Sequence, residues 1–285
     1  MTPLFVVVTQ LGDAWFILVL LSTLYLWGGK VPGLERPIDR KSVAYVMALG
    51  IGAIGLTFAL KLLLETSRPP GAAASTDPEW LSGVFLDLYR EAASEDSYDV
   101  PSGHAVGAVA VYGGLAFAYG RSRKALAIAA GLVSVIAVSR VVIGVHSLSA
   151  VLIGVLLGAS YLWLVTAITD GGREVARAFL VAGIMGLAAL ATGGFGHEAA
   201  AVLGLAGGGM LAWHLFGDRV PGGSEADRRV GLLVGVGLAG VGGSFAAIQS
   251  LASPIFSLAL SALLVVALLG LPVLWSGIAR PGSAS

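Results

Sequence analysis

Three short stretches of this chain gather residue types that do chemistry on anions: "KLLLETSRP" (61–69), "PSGH" (101–104) and "SRVVIGVH" (139–146). Together they hold three cations, Lys61, Arg68 and Arg140, and two of the chain's four histidines, His104 and His146. A guanidinium grips phosphate oxygens with a planar fork and an ammonium acts as a point charge, while one imidazole can attack phosphorus and a second can protonate the leaving oxygen. That combination describes phosphate chemistry. Ser102 stands where a helix N-cap is expected, and Gly103 lets an anion approach the free N–H groups at the positive end of that helix. Lys61 and Arg68 lie seven residues apart, two helical turns, so a helix would project both from one face before Pro69 and Pro70 break it. Each stretch alone has a blander reading, a snorkelling basic side chain or an ordinary cap. No cluster of carboxylates with metal-ligand spacing accompanies them, so a metal-free route is expected.

The elements that must carry these groups read as membrane spans. Of 285 residues 56% are hydrophobic and 12% charged, and the mean hydropathy of +0.88 lies outside the range of soluble domains. Apolar runs of the ~20 residues a spanning helix needs recur along the chain, without the ~10-residue alternation of a barrel. The expected fold is an all-α polytopic transmembrane bundle of nine spans, near 3–27, 43–64, 102–120, 125–143, 147–168, 176–195, 198–216, 230–250 and 254–278. The first run has no Lys or Arg before Lys30 and reads as a retained span, not a signal peptide.

Alternate connectors carry Lys30, Arg36, Arg40 and Lys41, then Arg121, Arg123 and Lys124, then Arg173 and Arg177, then Arg219, Arg228 and Arg229. With Arg280 these are 13 of the 17 basic residues. The positive-inside bias then places the N-terminus and all three stretches outside a cell membrane and the C-terminus in the cytoplasm. The outer connector 65–101 is acidic, and its segment 79–93 reads as a short helix, either lying in the interface or packed on the bundle as a lid. Absence of cysteine excludes disulfides and thiolate metal sites, and a net charge of zero gives no case for nucleic acid. The small-xxx-small pairs Gly154/Gly158 and Gly231/Gly235 point to close helix packing.

In order, Lys-x6-Arg-Pro, Pro-Ser-Gly-His and Ser-Arg-x5-His resemble the three-part signature of the type 2 phosphatidic acid phosphatase superfamily, which also includes the vanadium haloperoxidases. The resemblance covers roughly residues 1–168, a phosphatase-like transmembrane core, and leaves 169–285 as an additional four-span region. It implies that Lys61, Arg68, Ser102, Gly103 and Arg140 hold phosphate. His146 would be the nucleophile that forms a phosphohistidine and His104 the general acid, with no cofactor. The implied substrate is a membrane lipid phosphate or a polyprenyl diphosphate, met at the outer leaflet. A non-catalytic lipid-phosphate binder or transporter is the competing reading; paired interrupted helices of the transporter kind are not evident. A lipid-embedded site fits a haloperoxidase poorly.

One position departs from the pattern. The family's third motif continues to an aspartate four residues after the nucleophile, where it orients the histidine, and here that residue is Ala150. In the serine-protease triad, disabling the orienting aspartate lowers kcat by ~10⁴. Three readings are open: a substitution made to trap the protein, a degenerate member, or a chain in which another acid has taken the role. Candidates for the last are Asp13, an ionisable residue inside the first span, and Glu65 or Asp99 beside the other motifs. Taken alone, the sequence predicts retained binding with slow turnover, and a gain of ~10²–10⁴ in kcat for Ala150→Asp.

Overall fold

The computed structural model describes residues 2–27, 38–72, 82–83, 86, 89–90, 97–221, 237, 240 and 253–278. Among the described residues there is no strand. The chain runs through α1 (Thr2–Thr9), α2 (Ala14–Leu26), α3 (Arg40–Leu64), α4 (Gly103–Ala118), α5 (Arg123–Ile143), α6 (Leu148–Ile168), α7 (Val175–Gly193), α8 (His197–Phe216) and α9 (Pro254–Ile278). Six of these, α3 and α5 to α9, are long and apolar enough to cross a membrane, and α4 is a shorter apolar helix. The bundle fits a multi-pass membrane protein. Most of the expected span at 230–250, all but Gly237 and Gly240, and most of segment 79–93 fall outside the described residues. Of the latter, Leu86, Tyr89 and Arg90 are helical, and Tyr89 is buried against Val6 and Ile143.

The first span differs from the straight helix expected over 3–27. Leu4–Gly12 and Ala14–Leu26 meet at 55° across a tight turn. Asp13 is extended there, and its Oδ1 accepts the Ala14 N–H at 2.8 Å, so the carboxylate caps α2 instead of continuing α1. Gly12 is needed at the bend because a Cβ on it would stand 2.7 Å from the Ile136 side chain and 3.1 Å from the His104 ring. The turn therefore rests directly on α5 and α4.

α3 is the central helix. Residues Val43 to Gly52 are all buried, with α2, α4, α6, α7 and α8 packed around it in one continuous apolar core. Small residues set the approach distances, as expected where van der Waals packing and not exclusion from water must join helices. A Cβ on Gly55 would meet the Met185 backbone at 2.9 Å, and one on Gly204 would meet the Leu258 carbonyl oxygen at 2.3 Å. α6 closes on α4 in the same way: a Cβ on Gly154 would lie 2.8 Å from the Ser102 oxygen, and one on Gly158 2.9 Å from the Val106 oxygen. His197 opens α8 and pairs through Nδ1 with Ser257 Oγ of α9 at 2.8 Å.

Antiparallel neighbours bring the ends of α3 and α5 and the starts of α4 and α6 to one end of the bundle. There the Ser102 N–H donates to the Ala150 carbonyl at 3.1 Å. At the other end Arg40 donates to the Tyr25, Leu26 and Pro221 carbonyls at 2.8, 3.2 and 2.8 Å. Two of these are carbonyls at the C-terminus of α2, which a cation both satisfies and stabilises.

Candidate phosphate-binding and catalytic site

The first stretch places its two cations by different means. Lys61 is buried on the last turn of α3 and donates to Ser97 Oγ at 2.7 Å. The helix stops at Leu64 because Glu65 turns left-handed (φ 46°), so Arg68 stands on the segment beyond it and not two turns along the same helical face. Its Nε donates to the Ser97 carbonyl at 2.5 Å and a terminal nitrogen to Ser97 Oγ at 3.0 Å. The other terminal nitrogen donates to the Val145 carbonyl and lies 3.4 Å from His146 Nδ1 and 3.3 Å from Nε2.

In the second stretch Ser102 is the N-cap of α4, with extended backbone and Gly103 as the first helical residue. The usual side-chain cap is missing. Ser102 Oγ is buried with no hydrogen-bond partner among the described residues, where a cap would bond the third N–H of the helix. A donor and acceptor left in that state costs free energy unless something enters to bond it, and an anion at the helix start would do so. His104 follows on the first turn, with Nε2 3.7 Å from Asp13 Oδ2, an ion pair whenever the ring is protonated. The break in the first span is what delivers Asp13 there. Asp13 thus stands beside His104, not beside His146.

The third stretch ends α5. Arg140 is 1% exposed and donates to Thr9 Oγ1 on α1 at 3.1 Å. Gly144, at φ +86°, terminates the helix in a left-handed conformation that suits glycine, and Ser147 opens α6 as its N-cap, accepting the Ala150 N–H at 3.1 Å. His146 therefore lies in the four-residue connector 144–147 and not on the first turn of α6, so the spacing that would set position 150 one helical turn above it does not apply. Ala150 is fully buried on the face of α6 that packs on α4.

Asp99 pairs with His146: its Oδ1 lies 2.8 Å from His146 Nδ1, with exposures of 4% and 2%. The same oxygen accepts the Ser147 N–H at 3.2 Å, and Oδ2 accepts the Ser147 hydroxyl at 2.5 Å. Burial alone would raise the Asp99 carboxyl, but the hydrogen bonds from Ser147 and His146 outweigh it and hold the group below the ordinary carboxylate value. For His146, burial first, and then the charges of Arg68 and Arg140, press the ring down to about 3, against the opposing hydrogen bond to Asp99. The ring is neutral at ordinary pH. A carboxylate accepts only, so the proton sits on Nδ1, and Nε2 is the unprotonated nitrogen, 3.3 Å from the Arg68 terminal nitrogen.

The three stretches singled out by residue type thus converge at one end of the bundle. Thr9, Ser97 and Ser147, which tie Arg140, the Lys61/Arg68 pair and Asp99 in place, were not singled out. Ser147 carried a readable signal, a serine immediately before an apolar run. Ser97 and Thr9 carried none, since each acts across a tertiary contact.

No curated protein and no solved structure matches the chain. Residues 41–173, which run from the start of α3 to just beyond α6 and include all three stretches, match the PAP2 superfamily. Over residues 41–173 the chain is therefore similar to the PAP2 superfamily.

Proposed function

We propose that the protein is a metal-independent phosphatase of a membrane lipid phosphate or polyprenyl diphosphate that works through a phosphohistidine. The observation that carries this reading is His146, a buried neutral imidazole with Nδ1 engaged and Arg68 within 3.4 Å. A buried histidine kept unprotonated among cations is poorly arranged to bind an anion by its own charge, and well arranged to attack one.

In the first step His146 Nε2 forms a bond to phosphorus and the bond to the leaving oxygen breaks, with His104 giving that oxygen its proton. In the second, His104 takes a proton from water as the water oxygen attacks phosphorus, and the N–P bond breaks to release phosphate and free His146. Lys61, Arg68 and Arg140 spread over the phosphoryl oxygens and offset the charge that builds on them, which is the largest single contribution in most such sites. Ser102 and the N–H groups from Gly103 onward complete the cradle.

An apolar substrate tail is supported by the position of the site at an end of helices whose outer faces are apolar, among them Leu62, Leu63 and Leu64 of α3 and Leu148 and Leu152 of α6. Side-by-side phosphate release from diacylglycerol phosphate and from a polyprenyl diphosphate in detergent is the direct test. Release from at least one, at rates above those for soluble phosphate monoesters, is the expected result, and release from neither removes the reading. The charge bias supports a site on the outer side of the membrane. Single cysteines at Ser75 and Ser122 should then be labelled from opposite sides of the membrane by an impermeant reagent, and labelling from the same side contradicts the orientation.

A further inference from the structure

We infer that Asp99, on the connector ahead of the "PSGH" stretch, is the positioning residue for the His146 nucleophile. It fixes the imidazole from a different part of the chain than position 150, where Ala150 carries no acid. The inference rests on the reading of His146 as nucleophile and deepens it.

Three independent features of the geometry support it. Asp99 meets the ring nitrogen that must carry the proton if Nε2 is to attack, at 2.8 Å, within a buried pair. Both carboxylate oxygens are bonded: Oδ1 takes His146 and the Ser147 N–H, and Oδ2 takes the Ser147 hydroxyl. Ser147 is the residue next to the nucleophile and the cap of α6, so one carboxylate fixes the ring and the backbone that carries it. The backbone of Asp99 is itself held, its N–H donating to the Thr66 carbonyl and that of Val100 to Thr66 Oγ1, each at 2.9 Å. Thr66 lies on the segment that carries Arg68, so the groups for orientation and for binding share one support.

The close packing of α6 on α4 accounts for what stands at position 150. The residue is wholly buried, its carbonyl accepts the Ser102 N–H, and one turn on, Gly154 touches the Ser102 backbone. With Nδ1 already taken by Asp99, a second carboxylate nearby would meet a like charge, which disfavours ionisation of one of the two.

The test compares the parent with Asp99→Asn, Asp99→Ala, Asp99→Glu and Ala150→Asp by kinetics and by ¹⁵N NMR of the histidine rings, with His146→Ala assigning the signal. In the parent the His146 ring should be the Nδ1–H tautomer. Asp99→Ala and Asp99→Asn should lose that single tautomer and lower kcat by ~10²–10⁴, with KM little changed. Asp99→Glu should recover part of the loss, and Ala150→Asp should bring no gain. If Asp99→Asn and Asp99→Ala keep the parent's tautomer, or its kcat, or if Ala150→Asp alone raises kcat tenfold or more, Asp99 is not the positioning group. Should the parent release no phosphate at all, the phosphatase reading fails. The tautomer comparison still decides on Asp99: its loss in the variants upholds the pairing and its retention refutes it.

Discussion

His146→Ala is expected to abolish phosphate release, with kcat lower by ~10⁵–10⁶, the scale seen when a nucleophile or its base is removed from a site that acts as a unit. Binding should survive. Lys61, Arg68 and Arg140 are held by Ser97, Val145 and Thr9 through bonds that do not use the imidazole, so the anion site remains when the ring is gone. The loss should accordingly appear in kcat with little change in KM. The pH profile provides a second check. His146, the proposed nucleophile, is pressed from the ordinary histidine value to about 3 and would react when unprotonated, so its share of kcat/KM should hold steady as pH falls from 8 to about 4. A kcat/KM that declines through pH 6.5 in step with an ordinary imidazole, and is lost in His104→Ala rather than His146→Ala, would reverse the two roles.

The second large effect is on binding. Arg140 is among the largest fully buried side chains, reaches the site from the last turn of α5 and is steadied by Thr9. Removing the partner of a desolvated anion costs ~2–5 kcal/mol, a loss of roughly 30- to 5,000-fold in affinity. Arg140→Ala and Arg68→Ala should each weaken vanadate binding by that order, read as loss of vanadate-induced thermal stabilisation. Arg140→Lys should fall between, since it keeps the charge without the planar fork. Lys124→Ala, an exposed position at the other end of α5, should match the parent. If both arginine variants bind vanadate as the parent does, the anion sits elsewhere.

Much of this arrangement could be read from residue types alone, because a cation or a histidine within an apolar run is costly and so conspicuous. Lys61, Arg68, His104, Arg140 and His146 stand out for that reason, and helix polarity then gathers them at one end of the bundle. Local geometry was less legible. Glu65 in a left-handed conformation takes Arg68 off the helix, so the two-turn spacing from Lys61 did not hold, and Gly144 with Ser147 leaves His146 in a connector. The long apolar run at the N-terminus hid a break at Asp13, whose capping of α2 competes with continuation of α1. Asp99 was one acid among several in an acidic connector. Its selection depends on contacts with Thr66, His146 and Ser147, 33 to 48 residues away, which no local pattern encodes.

The central claim is that His146 is phosphorylated during turnover. Acid-labile, base-stable phosphate can be trapped by rapid quenching in base after mixing with a lipid phosphate labelled in its phosphoryl group, and located by peptide mapping. The account predicts label on the peptide carrying His146, absent in His146→Ala. Phosphate release by the parent with no such label, or label that persists in His146→Ala, would contradict it.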